Sequence, residues 1–391
     1  MQTQTHQHMA GGSASEGIDV DGLERELSSM WAELTREKDG EDSSPSVMRA
    51  CVLNLILYSQ HDDREKIDTL LDEVTVSHPC RSLVLIADRE TTEAHLNAYV
   101  STRCQLNARG TKQICGEQVT IEAGGAVVER IASAVAPLLV PDVPVFLWWK
   151  DVPNEDDKLF NRLAEMSDRI VVDSASSHHP YEDLRRFSRM IAGRGGDMRA
   201  SDLNWGRLTS WCAVVAHFWD VPDYRPYLDA IDRVRIDYDP PESAPEEVSA
   251  QALLVAGWLA SRLGWQVETT GTESRERNKS TLMRAGERVI NIEWRALKGV
   301  SGCERMISSL TFTSEETGAE FQVRWKQERT KLETSVKIGD EQKVSRVLAY
   351  EGRTDGERLS SELGILSRDV VYEQSLAAAA HLIETLRARE K

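Results

Sequence analysis

No apolar run in this sequence ends in a glycine-rich turn, no two cysteines form a CxxC pair, and basic residues are outnumbered by acidic ones. The run Ala50 to Tyr58 is followed by Ser-Gln-His-Asp-Asp, and Trp149 by Lys-Asp-Val-Pro. Beyond the N-terminal Gly11–Gly12, glycines cluster at Gly124–Gly125, before a helix-like segment, and at Gly193, Gly195 and Gly196, after one. Without glycine after a strand the backbone cannot approach a pyrophosphate closely, and no GxxxxGK[ST] loop is present. This argues against a dinucleotide or phosphate-loop site. GxSxG and HExxH are also absent.

The 6 cysteines (Cys51, Cys80, Cys104, Cys115, Cys212, Cys303) are widely spaced, which argues against a disulfide framework or a structural zinc site. Lys plus Arg number 47 against 64 for Asp plus Glu, a net charge of -17, so neither nucleic acid nor an anionic membrane is expected as a main partner. No run approaches the ~18 apolar residues of a membrane-spanning helix. MQTQTHQHMAGGSASEG has neither a basic start nor an apolar core, so it reads as a disordered tail and the chain as cytoplasmic.

What is present is strand, helix and strand in succession. Val145–Trp149 is a short apolar run, Leu159, Leu163 and Met166 repeat at helical spacing, and Ile170–Ser174 is a second run. That is the pattern of a parallel crossover unit. Ala50–Tyr58, the helix-like Asp63–Val74 and Ser82–Asp88 repeat it. Strand formers on either side of Asn107–Thr111 predict an antiparallel hairpin. Before these elements, Leu23, Leu27, Met30, Trp31 and Leu34 mark a helix over Asp19–Glu37.

The second half changes character. Helices are expected over Tyr181–Ala192, over Leu203–Phe218 with Asp202 as N-cap, and over Glu246–Leu263. Strand-like runs then follow one another from Trp265 to Glu351, and a last helix covers Val370–Arg389. The fold class is α/β: a mainly parallel N-terminal α/β domain, then a C-terminal α+β domain whose antiparallel sheet has one solvated face. The expected boundaries are 1–44 for the tail and first helix, 45–175 for the first domain and 176–391 for the second.

Chemistry is sparse. Asp173, Ser174 and His178 follow a strand end, where an acid can read a ribose or a Ser/His/Asp site can form, but adjacency in sequence is not the geometry such a site needs. The favoured reading is a polar loop. Trp148 and Trp149 are neighbours on a strand and point to opposite faces, which suits a sheet covered on both sides. Trp205, Trp211 and Trp219 do not share one helical stripe. If Arg109–Gly110 is a two-residue turn, Cys104 and Cys115 face each other at a hydrogen-bonded site ~5.5 Å apart at Cα. A disulfide is then permitted, although the cytosol favours thiols at rest; a longer turn would shift the register.

PVFLWWK, SDRIVVDSAS and SDLNWGRLTSWCAVVAHFWD (Ser201–Asp220), in that order, closely resemble the glucose-6-phosphate dehydrogenase assembly protein family, OpcA. Val52-Leu53-Asn54-Leu55 and Lys112–Gln118 extend the resemblance, which runs from about residue 45 to 385. Gly116, where many relatives have a second cysteine beside Cys115, and Lys150, where Arg is more usual, depart from it.

The resemblance implies a non-enzymatic assembly factor and allosteric activator of glucose-6-phosphate dehydrogenase, without cofactor or metal, that supports the oxidative pentose phosphate pathway and NADPH supply. Asp202, Asn204, Trp205, Arg207 and Trp211 are then the candidate partner-binding residues. Arg207 is placed for a forked contact, and an internal cap with a buried Trp is the competing reading. Cys104 and Cys115 remain a candidate redox pair, weakened by Gly116. The alternative is a sugar-phosphate or nucleotide enzyme, or a metabolite sensor, using a cleft at Asp173, Ser174 and His178.

Overall fold

Strands that are apolar at every position need cover on both faces, and the first half of the chain meets this with a largely parallel sheet. The computed structural model describes residues 8–10, 17–39, 46–60, 63–106, 112–193, 198–268, 274–275, 278–297, 306–326, 330–350 and 352–387. The chain divides into two units. One takes Met1–Val172, Gly196–Ser201 and Thr354–Arg368, the other Asp173–Gly195, Asp202–Arg353 and Asp369–Lys391.

The first unit's strands are β1 (His8–Ala10), β2 (Ser46–Arg49), β3 (Leu53–Ser59), β4 (Cys80–Asp88), β5 (His95–Leu106), β6 (Lys112–Gly124), β7 (Val145–Trp149), β8 (Arg169–Val172) and β9 (Arg199–Asp202). They lie in the order β1-β5-β6-β4-β3-β7-β8-β9, with β2 on β6. The β6-β4-β3-β7-β8 stretch is parallel, while β5 and β1 are antiparallel additions. Every residue of β3 is buried. Trp148 and Trp149 are 5% and 1% exposed, as two-sided cover requires. The segment read as a disordered tail contributes β1: the outer edge of β5 offers unpaired N–H and C=O groups that an extended segment satisfies. The turn at Asn107–Thr111 lies outside the described residues.

Helices α1 (Val20–Asp39), α2 (Arg64–Ser77), α3 (Ile131–Leu138), α4 (Lys158–Glu165) and a late arrival cover this sheet. From β3, α2 leads one way to β4, whereas α4 leads the other way from β7 to β8. Right-handed crossovers therefore set them on opposite faces, α1 and α3 with α4. In the second unit lie α5 (Pro180–Gly193), α6 (Leu203–Asp220), α7 (Arg225–Leu228) and α8 (Ala250–Leu263). The late arrival, α9 (Asp355–Leu363), packs on α2 and begins with a capping box between Thr354 and Glu357. That Thr-x-x-Glu signal is legible in the sequence. The last helix is α10 (Val370–Arg387), in the second unit.

Two buried arginines fasten helices to the first sheet, one on each face. Arg81 of β4 donates to Glu117 of β6 at 2.6 Å, to Glu24 of α1 at 2.5 Å and to the Leu138 carbonyl at 2.9 Å. Arg81 and Glu117 are each 4% exposed. Trp31 of α1 and Arg49 also reach Glu117. Arg103 of β5 holds α2 through Asp68 and Asp72, and donates to Gln118 at 2.6 Å.

The second unit's sheet comprises β10 (Arg233–Tyr238), β11 (Gln266–Val267), β12 (Ser274–Arg275), β13 (Asn278–Ala285), β14 (Arg288–Ala296), β15 (Ile307–Ser314), β16 (Ala319–Lys326), β17 (Lys331–Ile338) and β18 (Glu341–Ala349). Their order is β11-β13-β14-β10-β15-β16-β17-β18, with β12 on β13. Pairing is antiparallel except between β10 and β14, where α8 supplies the crossover that a parallel pair needs. Expected from Glu246, α8 starts instead at Ala250, because the Ser249 hydroxyl caps it through the Ala252 N–H. It ends at Gly264 in the left-handed region, φ 66°.

One face of this sheet is apolar: Ile292, Trp294, Leu310, Phe312 and Val323 are fully buried. The other is polar, as alternation predicted. A single row across it reads Ser280, Glu293, Arg235, Thr311, Gln322, Ser335 and Ser345.

Arg81→Met should lower stability in urea denaturation by about 3–5 kcal/mol, because Glu117 is left buried with its main partner gone. Arg81→Met combined with Glu117→Met should lose less, since no charge is then stranded. A double variant that is no more stable than Arg81→Met would show that packing, not charge pairing, sets the cost.

Candidate functional site

The DLNW segment opens α6, and each of its polar groups is spent on a neighbouring element of the second unit. Asp202 accepts the Asn204 N–H at 2.9 Å, capping α6, and the Ser174 N–H at 3.0 Å. The Tyr372 hydroxyl of α10 donates to Asp202 at 3.4 Å. Asn204 donates to the Ser174 hydroxyl at 3.0 Å and accepts from Gln251 of α8 at 3.2 Å. Gln251 in turn accepts the Ile307 N–H at 2.8 Å. The Trp205 indole donates to Asp369 at 3.1 Å, and Asp369 caps α10 by accepting the Tyr372 N–H at 2.8 Å. Arg207 forks onto both oxygens of Asp173 at 2.7 and 2.9 Å.

The structure thus brings the two candidate sets into one network. Asp173 and Ser174 meet Asp202, Asn204 and Arg207, while Gln251, Asp369 and Tyr372 join from far along the chain. Asp369 carries the local signal of an N-cap before α10, but nothing local ties it, Gln251 or Tyr372 to the DLNW segment.

His178 stands apart. Its Nδ1 lies 3.4 Å from the Ser243 hydroxyl, and Ser174 pairs with Asp202 and Asn204 rather than with a histidine. Trp211 packs edge-on against Trp325 at 5.5 Å. Burial narrows the expected surface. Asp202 and Asn204 are 1% exposed, Trp205 5% and Trp211 1%, so a partner cannot touch these side chains as placed. The Arg207 and Asp173 side chains, 14% and 20% exposed, form the accessible part.

Burial, and then the Asp173 carboxylate, push the Asp202 carboxyl up to about 6. For an acid raised in the fold, the native chain binds more protons than the unfolded one between about pH 4 and 6, so this group's contribution to stability falls as pH rises through that window. The swing is at most about 3 kcal/mol. Asp202→Asn keeps a capping side chain and should flatten that part of the melting-temperature profile. An unchanged slope in the variant would assign it to another group.

Cys104 and Cys115 pair in the expected register on β5 and β6. The structure joins them as a disulfide, where free thiols were expected, with Cα atoms 4.0 Å apart rather than ~5.5 Å. A Cβ on Gly116 would lie 2.6 Å from the Cys80 carbonyl oxygen, so the close approach of β4 excludes a second cysteine there. Cys51, Cys80 and Cys212 are free; burial pushes the Cys80 thiol up to about 11. Cys303 lies outside the described residues. Peptide mapping by mass spectrometry of non-reduced, folded protein should yield a linked 104–115 pair, and recovery of both as alkylated thiols would count against the bridge.

Among the described residues no group of three or more His, Cys, Asp or Glu could hold a metal ion, and no helix is long and apolar enough to cross a membrane. The site is that of a two-unit α/β protein whose conspicuous motif is consumed by internal hydrogen bonds. Family models described as the glucose-6-phosphate dehydrogenase subunit N-terminal and C-terminal domains match residues 71–189 and 198–376. The chain belongs to the OpcA family of glucose-6-phosphate dehydrogenase assembly proteins.

Relatives carrying the provisional name OxPP cycle protein OpcA include one from Nostoc punctiforme, 37% identical over 52% of this chain and 42% of that protein. The Synechocystis protein is 32% identical over 50% of this chain and 39% of its own length. The Synechococcus elongatus protein is 30% identical over 80% and 69%. The matched region therefore spans less than half of the first two relatives. Among solved structures, the WlbA (WbpB) dehydrogenase from Thermus thermophilus aligns over 85% of this chain and 94% of its own at 11% identity. Its TM-score is 0.41, and a likeness of that size supports no inference.

Proposed function

We propose that this chain is a non-catalytic partner of glucose-6-phosphate dehydrogenase that promotes assembly of the active enzyme and activates it allosterically. The observation that carries the reading is the pair of family matches between residues 71 and 376. It sits well with Asp173, Ser174 and Asp202, whose polar atoms are engaged by Arg207, Asn204 and the Ser174 N–H rather than converging on an open reaction centre. By this reading the chain works in the cytoplasm, needs no cofactor of its own, and supports NADPH supply through the oxidative pentose phosphate pathway.

Activation requires tighter binding to the active state of the dehydrogenase than to the inactive one, because equal affinity shifts nothing. The accessible Arg207–Asp173 pair is the proposed contact. The chain alone should show no turnover with NADP and glucose 6-phosphate. Added to the dehydrogenase, it should lower the apparent KM for glucose 6-phosphate, and kinetics unchanged over a wide concentration range would reject the reading. Arg207→Ala should raise the concentration needed for activation about tenfold while moving Tm by no more than about 3 °C. A large fall in Tm would instead make the pair structural.

A further inference from the structure

The geometry points to a second site, in the first unit: a binding pocket for a small phosphorylated polyol at the carboxyl ends of β3, β4 and β6. A cavity of about 360 Å³ opens there, lined by Gln60, Arg64, Asp88, Arg89, His95 and Glu122 among others. Ligands of open α/β sheets bind beyond the carboxyl ends of parallel strands, and the volume suits a small metabolite. Missing glycines do not rule out a ligand in this pocket. A monophosphate held by side chains needs no backbone cradle.

Both arginines are braced in the same way, each by a tyrosine hydroxyl and a carboxylate. Arg89 donates from Nε to Tyr58 at 2.9 Å and from Nη2 to Asp157 at 3.1 Å. Arg64 pairs with Glu122 at 2.8 Å and reaches the Tyr99 hydroxyl at 3.5 Å. Burial and Glu122 push the Tyr99 phenol up to about 12, so it stays neutral. Such bracing fixes the guanidinium planes before a ligand arrives, which lowers the entropy lost on binding.

Unused capacity remains. Among the described residues, Arg89 Nη1, the Gln60 amide and one oxygen of Asp88 have no partner; the other Asp88 oxygen takes the Glu90 and Thr91 N–H groups at 3.0 Å. His95 packs over Gly124, where a Cβ would come within 2.1 Å of the ring.

The mixture of signs selects the ligand class. A bare anion would meet the carboxylates of Asp88, Glu90 and Glu122, and a bare cation would meet two arginines. A molecule with both a phosphate and hydroxyls satisfies each: guanidinium forks take the phosphate, and carboxylates accept from hydroxyls. The apolar lining among the described residues is Ile86 and Ala123, and apart from the His95 imidazole no ring, neither Phe, Tyr nor Trp, lines the cavity to stack a base. A sugar monophosphate therefore fits better than a nucleotide.

The inference concerns this chain alone, and its test contains no dehydrogenase. Isothermal titration of the full chain would use glucose 6-phosphate, glucose and inorganic phosphate as probes. Glucose 6-phosphate should bind, and each of the other two at least about tenfold more weakly, since each lacks one half of the contacts. Arg89→Gln should weaken binding at least about tenfold. Should that variant fail to fold, Gln60→Ala, which removes no bond within the fold, should still weaken it about threefold. No heat with any probe up to millimolar concentration, equal affinity for inorganic phosphate alone, or binding indifferent to the folded variants would overturn the assignment.

Discussion

Burying a guanidinium is expensive unless every N–H finds a partner, and the first unit depends on meeting that condition repeatedly. Arg81 on one sheet face and Arg103 on the other each draw a helix onto the strands through carboxylates. Arg169 of β8, 2% exposed, does the same for chain from elsewhere in the sequence. It donates to the Ala200 carbonyl at 3.2 Å, to the Ser201 hydroxyl at 2.8 Å and to the Ser367 carbonyl. Hydrophobic burial favours a covered sheet in general, whereas these groups tolerate only one arrangement of their partners.

The second unit uses neutral side chains and one raised acid for the same purpose. Asp202, Asn204 and Trp205 serve the start of α6, the face of α8 and the start of α10 respectively. A motif that stands out in sequence need not face a ligand. Here its residues are demanding because they satisfy buried donors and acceptors on several elements at once, and a near-isosteric replacement would leave one of them unmet. The forked Arg207–Asp173 pair, at the margin of that network, is the part that solvent reaches.

The polar row across the open face of the second sheet and the mixed-charge cavity of the first unit illustrate a further contrast. On the open face, alternation fixes which side chains are solvated, and charges of both signs keep that face soluble without specifying a partner. In the cavity, the same residue types are braced from behind by tyrosine hydroxyls and acids, so their geometry is set in advance. Charges are paired on the open face too, as Arg324 and Lys326 hold Glu333, so enclosure in a cavity, rather than composition, separates the two.

Much of this was legible in the sequence. Largely apolar runs announced β3, β4 and β7; alternation announced β14 to β18 and their solvated face; Asp202 announced the start of α6; and the hairpin arithmetic set Cys104 opposite Cys115. Each of these rests on the local period of burial or on the chemistry of a cap or turn, which a short window contains. The motif order also carried the family. Tertiary structure alone decided that β10 pairs in parallel with β14 and that α9, late in the chain, belongs with α2. It alone brought Gln251, Asp369 and Tyr372 to the DLNW segment, and Arg64 and Arg89 to the rim of one cavity. Those outcomes depend on which distant surfaces exclude water together, and no local pattern of residues encodes that choice.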